Sequence, residues 1–301
     1  MIAQRRKEAK AQRREGGIPF GSGIRVFLFF VPFLFLVQTS SAWGAMPLPP
    51  DSAASWRPLD TLWSDFRTTF TDAWLLAGRP LYFDRTDWMI TGGVVSASGL
   101  LMATDAEIRR EMQSLRGSDG DHITDVGNAF GENEAGLLIA GLLYLPGFVL
   151  NEPKLRLMGR HVGQTLLYAA TVGVLIKGSL GRHRPFLGEG PYKFSGPWQS
   201  DDAFLSLPSG HTTVAFSIAS SLSADIDNPY VTVGLYSAAT LTALSRMYVD
   251  RHWSSDVFVA AAISSAIGYG TVNLHKPSEE ESTSSLLISP TLNGITLLYA
   301  F

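Results

Sequence analysis

The chain has 301 residues, 46% of them hydrophobic and 17% charged, which is apolar for a soluble protein yet short of a plainly integral membrane composition. Cysteine is absent, so disulfides, thiolate metal sites and a cysteine nucleophile are excluded. The formal charge is −3, but the first 45 residues carry seven basic and two acidic side chains; beyond them 17 basic residues face 25 acidic ones, so no nucleic-acid partner is expected and any basic site must be local.

Residues 1–45 read as an export signal or N-terminal anchor: a basic stretch RRKEAKAQRR, an apolar core from Val26 to Val37, and small residues around Ser40 and Ala42 that suit cleavage. Pro32 and the shortness of the apolar core argue against a full membrane span, which needs about 20 residues. The protein is therefore expected to be exported and periplasmic, in contact with a membrane surface. Residues 46–87 hold a Pro-rich linker, MPLPPDSAASWRP, and then TLWSDFRTTFTDAWLLAG with apolar residues at helical spacing.

Residues 88–276 form the expected helical domain. Its helical stretches are MITGGVVSASGLLMA, AEIRREMQSLR, AGLLIAGLLYLPGFVL, RHVGQTLLYAATVGVLIK, a run after SLPSGHTT, NPYVTVGLYSAATLTALSRMY and SDVFVAAAISSAIGYGTVNLH. Most are apolar on several sides and rich in Ala, Gly and Ser, which suits tight packing in an all-α bundle of about six core helices. The acidic stretch GSDGDHITD lacks the spacing of a calcium loop and reads as a solvated loop. Residues 277–301 hold a polar linker and LLISPTLNGITLLYAF, where Asn-Gly between β-prone runs predicts a small β-hairpin.

Three segments carry chemistry. Lys177 ends a helix, GSLG follows, and Arg184 precedes Pro185, which disfavours helix at its predecessor and places the guanidinium in a loop. A lysine point charge and an arginine fork suit phosphate oxygens, although cations at a helix C-terminus are also favoured by the dipole alone. His211 stands where a helix opens, at SLPSGHTT, and the free N–H groups and positive dipole end there suit an anion. In LSRMYVDRHWSSDVF, His252 and Asp256 are four residues apart, and a carboxylate that fixes the imidazole tautomer frees the other ring nitrogen for attack. Such a pair is common and by itself usually structural.

In this order the segments read K-x6-R-P (Lys177 to Pro185), P-S-G-H (Pro208 to His211) and S-R-x5-H-x3-D (Ser245 to Asp256). This resembles the three-part signature of the superfamily joining type 2 phosphatidic acid phosphatases, class A acid phosphatases and vanadium-dependent haloperoxidases, with every fixed position filled. The resemblance implies an all-α fold and a metal-independent phosphatase, without cofactor, acting on phosphomonoesters or diphosphates that are small molecules or lipid-linked. By position it implies His252 as nucleophile forming a phosphohistidine, Asp256 as its orienting partner and His211 as general acid. Lys177, Arg184, Arg246, Ser209 and Gly210 would hold the phosphoryl oxygens. No metal is implied: the six histidines show no ligand spacing. His183 falls at a free position of the first motif and reads as a loop residue. A soluble non-specific acid phosphatase, a haloperoxidase holding vanadate on the same residues, and a non-catalytic phosphate-binding protein remain as alternatives.

One length argument bears on the membrane. Between the second and third motifs the legs on either side of DIDNP count about 14 and 15 residues, or ~21 Å as helix against ~30 Å of hydrocarbon. A compact domain resting on the membrane is expected on that count.

Overall fold

The eight α-helices among the described residues of the computed structural model begin and end at recognisable chemical signals. The structure describes residues 57–274, except the side chains of residues 118–123, together with the backbone of residues 285–291 and 294–300. The expected export signal and most of the Pro-rich linker lie outside the described residues. Helix α1 (Pro58–Gly78) opens on a proline whose fixed φ suits the first helical position. Helix α2 (Arg85–Ser114) opens on a capping box: Asp87 N–H donates to Asp84 Oδ1 at 2.8 Å, and Asp84 N–H donates back to Asp87 Oδ2 at 3.3 Å. The two stretches expected from Met89 to Arg116 are thus one continuous helix.

Helix α3 (Ser118–Phe130) corrects the sequence reading, which made GSDGDHITD a loop; its backbone is helical from Ser118 onward. Helices α4 (Asn133–Val149) and α5 (Pro153–Leu180) form a hairpin. Their backbones nearly touch: a Cβ on Gly147 would stand 2.3 Å from Arg156 N, and one on Gly159 would stand 2.3 Å from Tyr144 N. Only glycine permits that approach. Helix α5 stops at Gly181, whose φ of 62° is the left-handed conformation that glycine adopts at no steric cost.

Helix α6 (Gly210–Ile226) is the buried centre of the bundle and packs against α5, α7 (Pro229–Tyr248) and α8 (Ser254–Asn273). Its fit against α8 depends on small residues, since a Cβ on Gly268 would lie 1.9 Å from Ser220 Oγ. Asn228 caps α7 by accepting from Tyr230 N–H and Val231 N–H. The C-terminal strands β1 (Ser285–Thr291) and β2 (Gly294–Ala300) pair antiparallel as the expected hairpin, with Thr291 opposite Gly294, so that the glycine of Asn-Gly belongs to β2.

Helices α6 and α7 have 17 and 20 residues, longer than the legs counted from sequence, because Gly210 and His211 of the second motif and Ser245 to Tyr248 of the third are themselves helical. At 1.5 Å per residue they measure ~26 and ~30 Å, so α7 reaches the ~30 Å of hydrocarbon while α6 stays ~4 Å short of it. Two described helices are long and apolar enough to cross a membrane, Arg85–Ser114 and Ser254–Asn273, the second of them mostly buried inside the bundle.

The outer helices wear their apolar residues outward. On α1, Leu59, Trp63, Phe66, Phe70 and Trp74 form one exposed stripe at helical spacing, while Asp65 and Asp72 are buried on the opposite side. On α4, Leu137, Leu138, Leu142, Leu145 and Val149 are exposed. This is the reverse of a helix packed by its apolar face in water.

Candidate active site

One end of the bundle gathers the C-termini of α5 and α7 and the N-termini of α6 and α8, and with them all three sequence motifs. The local signals explain the placement. Gly181 releases the chain from α5, and Arg184 is extended at φ −74° and ψ 151°, as its proline neighbour requires. Ser209 begins α6, fully buried, with its N–H donating to Asp256 O at 3.2 Å and its Oγ accepting from Thr212 Oγ1 at 2.9 Å. Gly210 is exposed at the helix start.

His252 lies in the loop just before α8 and is almost wholly buried. Its Nδ1 donates to Ser206 O at 2.7 Å, while Asp256 Oδ2 stands farther off at 3.7 Å. The acceptor that fixes the ring is therefore a backbone carbonyl. Asp256 acts on it across a short gap and through Ser206, whose Oγ donates to Asp256 Oδ2 at 2.5 Å. The reason is local: His252 precedes the helix rather than sharing a helical face with Asp256, as the spacing had suggested. Burial first, then the charges of Lys177 and Arg184, hold His252 down at about 3 against the pull of Asp256. The imidazole is neutral, and with Nδ1 carrying the proton its Nε2 keeps a lone pair.

The cations crowd one another. Lys177 is lowered to about 8 by burial and by Arg184, and its Nζ donates to Leu205 O at 2.7 Å. Arg246 is lowered to about 10 by burial and by Arg184 and Arg251; one of its NH groups donates to Asn128 Oδ1 at 2.8 Å, and its buried Nε has no partner. Arg184 is lowered chiefly by burial and holds Asp202, a largely exposed carboxylate, at 2.5 Å. An anion among these three would relieve their mutual repulsion, a preference for negative charge built before any ligand arrives.

His211 faces the same space and donates from Nε2 to Glu132 Oε1 at 3.1 Å. Burial and Arg246 lower it below the ordinary imidazole value, while Glu132 opposes them. His183 is tied elsewhere, to Glu189 through Nδ1 and to Ser195 Oγ at 2.5 Å through Nε2, so it braces the loop.

Sequence reasoning missed the scaffold under these residues. Arg182, fully buried, donates to Asp256 Oδ1 at 2.6 Å, to Ser255 Oγ at 2.7 Å and to Asp105 Oδ2 at 2.8 Å. Asp105 in turn accepts from Ser254 Oγ at 2.5 Å and Ser255 N–H at 2.9 Å. This network ties α2 and the first motif to the start of α8. The only signals for it were an arginine among the free positions of the first motif and an acid at the edge of an apolar helix. Glu132 and Asn128 likewise lie outside every motif. Among the described residues no group of three or more His, Asp or Glu side chains could hold a metal ion.

Comparison with known proteins agrees with the motif geometry. Residues 160–280 match the family model of the PAP2 superfamily, a span that contains all three motifs. A lipid A 1-phosphatase from Porphyromonas gingivalis is 30% identical over 105 residues, which is 34% of this chain and 22% of that protein. The chain thus matches about a fifth of the length of this curated relative. A crystal structure of Aquifex aeolicus LpxE aligns with a TM-score of 0.41 and 20% identity, over 56% of this chain and 94% of that one. The three motifs are filled and converge on one end of an all-α bundle, and the segment that holds them, residues 160–280, matches the PAP2 superfamily.

Proposed function

We propose that the protein is a phosphatase that hydrolyses lipid-linked phosphomonoesters or diphosphates through a phosphohistidine. The observation that carries this reading is His252: neutral, with Nδ1–H given to Ser206 O and the electrostatic reach of three buried or half-buried cations around it. In the first step Nε2 of His252 attacks phosphorus and the bond from phosphorus to the leaving oxygen breaks. His211, protonated when the substrate's negative charge offsets Arg246, gives its proton to that oxygen. In the second step His211 takes a proton from water, the hydroxide attacks phosphorus, and the N–P bond breaks to release phosphate and neutral His252. Lys177, Arg184 and Arg246, with Ser209 and the Gly210 N–H, stabilise the transferring group; these cations supply the positive charge without a metal.

A lipid-linked substrate is supported by the outward apolar faces of α1 and α4, and by the lipid A 1-phosphatase among the relatives. The same faces support a membrane-associated location, and the N-terminal signal an exported one. Residues 1–45, 46–87, 88–276 and 277–301 would then serve as signal or anchor, linker and first helix, catalytic domain, and tail.

The test is release of phosphate from a lipid phosphate, undecaprenyl diphosphate and p-nitrophenyl phosphate, each with EDTA present. Acid-labile label should be trapped on His252 during turnover, and His252→Ala should lose turnover by at least about 10⁴-fold while still binding vanadate weakly. Full activity in that variant would end the nucleophile assignment. Bromide oxidation with vanadate and peroxide, in place of phosphate release, would favour the haloperoxidase reading.

A further inference from the structure

A groove between α1, α4 and α5 lies away from the motif residues; along α5, Gln164 is ~20 Å from Lys177 at 1.5 Å per residue. Its volume is about 480 Å³, within the range of small-molecule sites, and its walls include Leu62, Phe66, Ala140 and Leu145. Arg160 and Gln164 line it one helical turn apart. Arg160 Nε and Gln164 Oε1 are buried without a hydrogen-bond partner, and Gln164 is only 2% exposed. Buried polar atoms are rarely left in that state, and these two stand beside an open apolar space.

The other polar groups of this region are engaged. Asp65 accepts from Tyr144 OH at 2.8 Å, Arg156 at 2.6 Å and Arg160 at 2.7 Å, and Gln164 Nε2 donates to Asp72 Oδ2 at 3.0 Å. Two arginines are matched by two aspartates, so no surplus charge draws an ionic ligand. What remains on offer is one N–H donor and one carbonyl acceptor on adjacent turns. A hydroxyl group uses both, donating to one and accepting from the other.

We propose that this groove is a second ligand site, which takes a neutral lipid whose alkyl chain carries a hydroxyl head. The hydroxyl donates to Gln164 Oε1 and accepts from Arg160 Nε–H, and the chain lies between Leu62, Phe66 and Leu145. The same walls border the exposed stripe of α1, so a chain can enter from an apolar surface without crossing water. The class includes the lipid alcohol that a lipid phosphatase releases, but the site does not depend on that activity.

The full-length protein in zwitterionic micelles would be photolabelled with a diazirine-bearing long-chain alcohol, and the adducts mapped by peptide mass. Adducts should fall on α1, α4 and α5. Unlabelled hexadecanol should compete, whereas its methyl ether, which lacks the donor, should compete about tenfold less well. Gly141 lines the groove and a Cβ there would meet nothing within 4 Å, so Gly141→Leu starts its side chain in open space at the groove wall. It should abolish labelling and leave turnover of p-nitrophenyl phosphate unchanged. Equal competition by alcohol and ether on the wild-type protein, adducts spread over the outer face of α2, or full labelling of Gly141→Leu would each overturn the proposal. The competition needs no variant, and turnover is read separately, so loss of phosphatase activity and loss of this site remain distinguishable.

Discussion

Helix α5 carries a cluster of charge at each end, and the two clusters are built on opposite principles. Near its start, Arg156 and Arg160 close on Asp65 from α1, and every ion has a counter-ion. Near its end, Lys177 and the following Arg184 stand with Arg246 among like charges, each lowered by burial and by a cationic neighbour, and the carboxylate paired with Arg184, Asp202, is largely exposed. The first arrangement holds helices together. The second is a standing electrostatic debt that only an anion settles, which is how a binding site differs from a structural tie.

Exchanging one arginine at each end should separate these roles. Arg184→Gln is expected to cost about 10²–10³-fold in kcat with little change in melting temperature, because removing a repelled cation offsets the loss of its pair with the largely exposed Asp202. Arg156→Gln should leave kcat unchanged and destabilise by about 1–3 kcal/mol, since Asp65 keeps Arg160 and Tyr144 but loses one charged donor. Steady-state kinetics and thermal melts on both variants decide the matter; a stability loss from Arg184→Gln as large as that from Arg156→Gln would erase the contrast.

A pH profile sharpens it further. Lys177 at about 8 is charged below that pH and neutral above it, so above pH 8 kcat/KM should fall by a further factor approaching about tenfold per unit, beyond the decline that loss of the His211 proton causes at lower pH. Lys177→Arg should remove that added fall. A wild-type profile with no steepening up to about pH 9.5 would show that Lys177 does not bind substrate through its charge.

The smallest effect concerns Glu132, which raises His211 against burial and Arg246. Glu132→Gln withdraws that support, so the protonated fraction of His211 falls at any given pH. The limb of kcat/KM that reports loss of the general acid should therefore move to lower pH, by a fraction of a unit to about one unit. Movement to higher pH, or none, would place Glu132 outside the acid's environment.

The residues readable from sequence were those whose chemistry is tied to fixed local spacing. Lys177, Arg184, His211, Arg246 and His252 sit at chain breaks that prolines, glycines and helix starts mark, and all converge at one end of the bundle. What escaped was of two kinds. Arg182 and Asp105 act through contacts made across 77 positions of sequence, which no periodicity encodes. Helix α1 was legible as a helix but not in its orientation, because its apolar stripe faces outward and its acids inward, against the rule for a helix in water. The loop expected at GSDGDHITD failed because polarity alone does not exclude helix, and glycine weakens one only slightly.

The glycines that let α4 and α5 meet backbone to backbone also bear on the order of assembly. The two helices are joined by Leu150, Asn151 and Glu152 alone, so closing them costs little chain entropy and needs no distant partner. During synthesis this hairpin can form as soon as it emerges, and Lys177 then leaves the ribosome already mounted on an ordered helix. The segments bearing His211 and His252 follow later and condense onto a surface that exists. Lys177 is thus in place before either histidine, whereas Ser209, Gly210 and Arg246 arrive with the segments that bear them.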